Sequence, residues 1–193
     1  MIKRILFISF SMFFITACSI KTPIDQWKHQ SISAFNSYKT NFLSGNSLVA
    51  SNDLKRAKNH AKQSGNLNTL ARIYLGECAL NITVGGEYSC KSFKDISTLV
   101  NNSNLNEYYN FITKKSKKYT NYKYQNITSK LLLSALNKKD LTREEINNTI
   151  NLSSQYGYKK VTLFWLSQAL KISKNKNEYM KISKKILILN SKY

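Results

Sequence analysis

Proline, histidine and arginine are scarce in this chain, and each scarcity makes one kind of structure or site less expected. The 193 residues contain one proline, Pro23, and six glycines, so few positions can interrupt a helix. The two histidines, His29 and His60, are too far apart in sequence to suggest a metal site or a Ser-His-acid arrangement. Glycine-rich phosphate loops, His-Glu-x-x-His helices and Gly-x-Ser-x-Gly elbows are missing as well. We therefore expect no metal and no cofactor, and predict that the chain is not an enzyme.

Acidic side chains are also few. Ten aspartates and glutamates stand against 30 lysines and arginines, which gives a formal net charge of +20. This balance favours acidic partners such as lipid head groups or polysaccharide phosphates. Only four of the basic residues are arginines, although arginine is the better bidentate ligand for phosphate. The charge is therefore also compatible with a lysine- and asparagine-rich composition that serves no binding function.

The N-terminus has the pattern of an export signal. Lys3 and Arg4 precede an apolar run over residues 5–17, which is shorter than the about 20 residues needed to span a bilayer. A charged start, a short apolar core and small residues at its end are typical of a secretory signal peptide. Ile15-Thr16-Ala17-Cys18 resembles the lipobox of bacterial lipoproteins, in which an aliphatic residue and two small residues precede a cysteine. The alternative is an ordinary secretory signal followed by a chance cysteine.

The lipobox resemblance implies a membrane anchor. Residues 1–17 would be removed, the Cys18 thiol would carry a diacylglycerol, and the new amino group would be acylated. Two or three acyl chains would anchor the protein stably in the membrane, since each buried methylene contributes about 0.8 kcal/mol. Ser19 stands where the best-known enteric system has its inner-membrane retention aspartate, so we expect the outer membrane, facing the periplasm. Residues 18–24 would form the lipidated cysteine and tether, and residues 25–193 a single domain.

Two further cysteines, Cys78 and Cys90, form an even pair in a chain expected to be exported, which predicts a disulfide. Gly85 and Gly86 lie between them and can turn the backbone. A loop of this length would stabilise the fold by about 3 kcal/mol on a chain-entropy estimate. Metal binding by the pair and a redox role are the alternatives, but neither histidines nor a Cys-x-x-Cys spacing supports them.

Helical spacing of apolar residues continues along the whole mature sequence. Thr142 and Glu145 have the spacing of a capping box, which predicts a helix start. The predicted apolar faces are Trp27, Ala34, Phe35, Tyr38 and Phe42; Leu54, Ala57 and Ala61; Leu67, Leu70, Ala71, Tyr74, Leu75 and Cys78; Phe93, Ile96, Leu99 and Val100; Leu105, Tyr108, Tyr109 and Ile112; 127–136; Ile146, Ile150 and Leu152; Val161, Phe164, Trp165, Ala169 and Ile172; and Tyr179, Ile182, Ile186 and Leu189.

The predicted fold class is all-α, an array of antiparallel helix hairpins. Leu67, Leu70, Ala71 and Tyr74 have the spacing of the first helix of a tetratricopeptide-like unit, and the array weakly resembles such repeats. No 34-residue period holds along the chain. A tetratricopeptide-like superhelix and an irregular helical bundle therefore both stay open.

The lysine-rich segment 114–123 is the main candidate for binding anionic envelope components. Its lysines alternate with tyrosines, a mixture that suits head groups at a membrane interface. The candidate contacts are Lys114, Lys115, Lys117, Lys118 and Lys123. Nucleic acid is not an expected partner for an exported protein. The alternative is a solvated helix junction without binding function.

Two further features of the sequence concern modification and catalysis. Asn147, with Glu145 two residues before it and Thr149 two residues after it, resembles the acceptor motif of bacterial N-glycosylation. Glu77 and Glu107 are the acids that a cell-wall hydrolase would need in a cleft.

We expect a lipid-anchored periplasmic binding or scaffold protein that engages a protein partner at the cell envelope. The alternative is a lysine-rich module that binds lipid head groups or lipopolysaccharide. A cell-wall hydrolase is the least favoured of the three.

Overall fold

The computed structural model describes residues 23–86, 89–113 and 126–191, and every regular element within these ranges is a helix. The predicted all-α class is therefore confirmed. A 3₁₀ turn, Ser97–Leu99, follows the fourth helix. The helices are α1 Pro23–Ser44, α2 Ser47–Gln63, α3 Leu67–Thr83, α4 Lys91–Ile96, α5 Ser103–Ile112, α6 Ile127–Leu136, α7 Arg143–Gln155, α8 Lys159–Lys171 and α9 Lys176–Asn190. In these ranges no helix is both long enough and apolar enough to cross a bilayer.

Asparagine side chains cap the N-termini of four of these helices. In each, the side-chain oxygen accepts a hydrogen bond from the backbone N–H three residues later, which satisfies a donor that the helix itself leaves unpaired. The four N-caps are Asn66 (α3), Asn102 (α5), Asn126 (α6) and Asn175 (α9), with bonds of 2.9–3.2 Å. Part of the high asparagine content therefore serves local structure.

The capping box predicted from Thr142 and Glu145 opens α7 as expected. Glu145 Oε2 accepts from the Thr142 N–H at 2.7 Å, and the Glu145 N–H donates to Thr142 Oγ1 at 3.3 Å. These hydrogen bonds, first that from the Thr142 backbone and then that from its hydroxyl, lower the pKa of Glu145 below its ordinary value.

The helices pack as hairpins that close on themselves. The α1–α2 hairpin is the most extensive contact, α7 pairs with α8, and α3 packs against α1, α2, α5 and α6. Helix α8 also returns to α1, where Lys160 Nζ lies 4.0 Å from the centre of the Phe42 ring. This contact joins the α7–α8 hairpin to the α1–α2 hairpin. The structure therefore favours an irregular bundle over an open superhelix.

One large core runs through the bundle, and a smaller one lies between α1, α2 and α3. The smaller core is built largely from Ala34, Ala57 and Ala61, whose small side chains let α1 and α2 approach closely. The largest fully buried apolar side chains are Trp165, Phe93, Leu43, Leu75, Ile82, Ile112, Leu131 and Val161. The prediction that Trp165 is a core residue is confirmed. Trp27 is half-buried and stacks on His60, with ring centroids 5.3 Å apart.

Four residues predicted on apolar faces are instead exposed, and one of them, Leu67, is the first residue of α3. Leu99 lies in the 3₁₀ turn, where the helical spacing has ended, and is 67% exposed. Ile172 lies just beyond the last residue of α8. Tyr179 lies on α9, whose core contacts are made by Ile182, Ile186 and Leu189. In each case the apolar pattern extended past the segment that packs.

Candidate functional site

The two predicted disulfide partners lie at bonding distance. Cys78 on α3 and Cys90 are joined through their sulfur atoms, with Cα atoms 5.3 Å apart, and both residues are buried. Cys90 precedes α4 and has φ +43°, a left-handed conformation that residues other than glycine rarely adopt. The bond ties the end of α3 to the short helix α4, which brings Phe93 into the core.

Glu77, one of the two acids predicted for a hydrolase, forms an ion pair. Its Oε2 lies 2.7 Å from Lys58 Nζ, and the same ammonium group lies 5.3 Å from the centre of the Tyr74 ring. Burial, and secondarily the charge of Glu77, raises the pKa of Tyr38 well above its ordinary value. A shallow pocket of about 260 Å³ adjoins Glu77 and the disulfide. Lys58 and Glu77 thus connect α2 with α3 beside that pocket.

The glycosylation-like motif lies on a folded helix. Asn147 is exposed on α7, whereas Thr149 is buried and its hydroxyl donates to the Glu145 carbonyl at 2.8 Å. The motif's hydroxyl is therefore engaged by the helix backbone, and modification of Asn147 stays a prediction.

Several predicted site residues lie outside the described ranges. These are Cys18 and the lysines Lys114, Lys115, Lys117, Lys118 and Lys123. Glu107, the second acid predicted for a hydrolase, is an exposed residue of α5, whereas Glu77 lies on α3. Among the residues described, no three metal-binding side chains are grouped.

A concave groove lies between α1 and α3 in the described part of the chain, and sequence reasoning did not predict it. We call it the α1–α3 groove; its volume is about 630 Å³, within the range typical of ligand sites. Its lining consists of Lys28, Ile32, Phe35, Asn36, Asn66, Asn68, Thr69, Arg72, Ile73 and Asn102.

The floor of the groove is apolar and is shaped by a glycine. Ile32, Phe35 and Ile73 supply its hydrocarbon surface. Phe35 packs on Gly76, where an added Cβ would lie 2.4 Å from Cζ of the ring. Gly76 therefore lets the ring lie directly against the backbone of α3, and any larger residue would displace it.

The rim of the groove carries four carboxamides. Asn66 and Asn102 are the N-caps of α3 and α5, so two helices begin beside the groove. Asn102 Nδ2 donates to Asn68 Oδ1 at 3.2 Å and so links the two helix starts. The carboxamide of Asn36 is exposed on the opposite side. The carboxamides of Asn66, Asn68 and Asn102 already take part in hydrogen bonds. Asn36 is therefore the rim residue best placed to pair with a peptide unit, since a carboxamide both donates and accepts.

The electrostatics of the groove favour an anion. Lys28 and Arg72 are its charged lining residues, and neither forms an ion pair with another described residue. The N-termini of α3 and α5 add partial positive charge at the same end. The lining contains no aspartate or glutamate.

The groove continues along an exposed polar strip of α1. This strip shares Ile32 and Asn36 with the groove and extends from His29 to Asn41. It therefore runs along about 18 Å of helix, a length that five or six residues of extended chain would cover. The arrangement suits a linear ligand better than a compact one.

No protein-family model matches this chain, and none of the curated proteins or solved structures compared with it matches significantly. The all-α fold and the α1–α3 groove are therefore the features from which a function can be argued.

Sequence reasoning missed the groove because its residues are scattered. Asn36, Arg72 and Asn102 come from three helical regions whose proximity depends on the packing of α1, α3 and α5. One usable signal was present in the sequence. Asn66 stands directly before the predicted face that starts at Leu67, and Asn102 stands three residues before the one that starts at Leu105; asparagine is a favoured N-cap at such positions.

Proposed function

We propose that this protein is a non-enzymatic binding protein that holds an acidic, extended segment of a protein partner in the α1–α3 groove. The observation that carries the proposal is the combination of an apolar floor, a carboxamide rim and two cations without ion-pair partners in the described structure. Each part matches one part of a peptide: aliphatic side chains, backbone amides and carboxylates.

The proposed location is the cell envelope. The resemblance of Ile15-Thr16-Ala17-Cys18 to a lipobox supports an anchor on Cys18, with the domain facing the periplasm. In that setting the anchor would confine the domain near the membrane and raise its effective concentration toward partners there.

The test is site-specific photocrosslinking in cells, with a photoreactive phenylalanine at Asn36 in the groove. Asn59 on α2 provides the matched control, because it is also an exposed helical asparagine but lies outside the groove lining. We expect one recurrent protein partner to be captured from position 36 and not from position 59. Cys18→Ala should reduce that capture if the anchor brings the two together.

The identity of the crosslinked residues completes the experiment. Mass spectrometry should place the crosslink in an acidic, extended segment of the partner. Equal capture from both positions, or capture only of lipid or polysaccharide, would contradict the proposal.

A further inference from the structure

Helix α9 presents an exposed face that the groove does not use. On its inner side, Ile182, Ile186 and Leu189 pack against the core. On its outer side, Met180, Leu187 and Ile188 are 54%, 70% and 52% exposed. With Lys184, they occupy positions i, i+4, i+7 and i+8, which share one face of a helix. We call these four residues the outer face of α9.

Lysines surround these exposed apolar side chains. Lys176 and Lys181 flank the outer face, Lys184 lies within it, and all three are exposed. None of them forms an ion pair with another described residue. The acid in the first turn, Glu178, is instead bound to Arg143, with Oε1 2.7 Å from Nη2. The outer face therefore combines apolar area with positive charge.

We propose that the outer face of α9 rests on a bilayer that contains anionic phospholipids. Met180, Leu187 and Ile188 would enter the head-group boundary, as apolar residues of interfacial helices do. The lysine stems would lie along that boundary while their ammonium groups meet lipid phosphates. The inner side of α9 would stay packed on the bundle.

Charge favours an anionic bilayer over a second copy of the chain as the partner of this face. A symmetric pairing through α9 would bring the lysines of two copies together, and like charges at such an interface disfavour association. An anionic bilayer neutralises the same lysines. This proposal does not depend on the α1–α3 groove, so either can fail without the other.

The test uses the chain from residue 18 onward with Cys18→Ser, which keeps every described helix and carries no acyl chain. Flotation with vesicles of phosphatidylglycerol and phosphatidylcholine should show binding that weakens with salt, whereas pure phosphatidylcholine should bind little. Lys181→Gln with Lys184→Gln should lower the partition coefficient about 25-fold, since each lysine near an anionic surface contributes about fivefold. Leu187→Ser should lower it at least threefold.

Matched controls come from α2. Leu48 is 78% exposed, and Lys55 and Lys62 are exposed lysines of the same helix. Leu48→Ser, and Lys55→Gln with Lys62→Gln, should change the partition coefficient less than twofold. Each variant should have the same circular dichroism spectrum as the unaltered protein, because all of these residues lie on the surface.

Depth gives an independent readout. In Leu187→Trp, brominated lipid should quench more of the fluorescence than it does in the unaltered protein, and in Leu48→Trp it should not. Equal losses for the α9 and α2 variants, absence of binding to the anionic vesicles, or a dimer that Leu187→Ser dissociates would each overturn the proposal.

Discussion

Close approach of an aromatic ring to the backbone explains why Gly85 is needed at the end of α3. Its φ is +85°, and an added Cβ would lie 2.4 Å from Cε2 of Phe164. Two separate costs would follow from a side chain here, namely a left-handed backbone and a collision with a ring from α8. Gly65, after α2, has φ +64° but nothing within 4 Å of its would-be Cβ. Gly65 is therefore a matched control for Gly85, because both have a positive φ but only Gly85 lies against a ring.

We predict that Gly65→Ala lowers the free energy of unfolding by about 1–2 kcal/mol, because only left-handed backbone is penalised. Gly85→Ala should cost about 1–3 kcal/mol more, because overpacking against Phe164 adds to the same backbone term. Urea unfolding of the two variants measures the difference. Equal costs would mean that Phe164 does not restrict this position.

Local hydrogen bonds set the boundaries of the elements, and α7 shows this clearly. The Thr142 N–H and hydroxyl both donate to Glu145 Oε2, at 2.7 and 2.8 Å. These bonds favour the ionised carboxylate and lower the pKa of Glu145. Because the pKa is lower in the folded protein, the stabilisation is complete above the unfolded pKa of about 4.3. It is lost as the pH falls through the lower folded value.

We predict that Glu145→Gln flattens the decline of stability between neutral pH and acid, because a carboxamide can accept from Thr142 without titrating. Glu144→Gln removes the same charge from the same first turn but leaves the Thr142 bonds in place, so it should flatten the profile less. Thermal unfolding from pH 7 to pH 3 measures both. Identical profiles for the two variants would contradict the role of the capping box.

Local patterns allowed the helices to be predicted far better than their arrangement. The sixth apolar segment, 127–136, coincides with α6, and the capping box opens α7 as expected, because both depend on neighbouring residues. Helix α1 begins at Pro23, inside the segment expected to be a tether, because proline suits the first turn of a helix. Closure of the bundle through α8 and α1 depends on distant contacts that no short pattern encodes.

At the scale of the whole molecule, the bundle holds two surfaces with different chemistry. The α1–α3 groove is concave and combines apolar floor, carboxamides and two cations, whereas the outer face of α9 is convex and lysine-rich. Gly76 connects core packing with the groove, since it fixes where the Phe35 ring lies. The concave surface is the one suited to a specific protein segment, and it carries the proposed function.

Peptide selection on the purified protein tests this central claim most directly. A random peptide library should yield sequences with aspartate or glutamate beside aliphatic residues. Their affinity, measured by fluorescence anisotropy, should fall at least tenfold in Arg72→Glu, which reverses a charge. It should fall at least tenfold in Asn36→Trp as well, because the larger side chain fills the groove. Lys55→Glu and Asn59→Trp on α2 should bind as the unaltered protein does. Selection of no acidic peptide, or equal binding by the groove and α2 variants, would contradict the account.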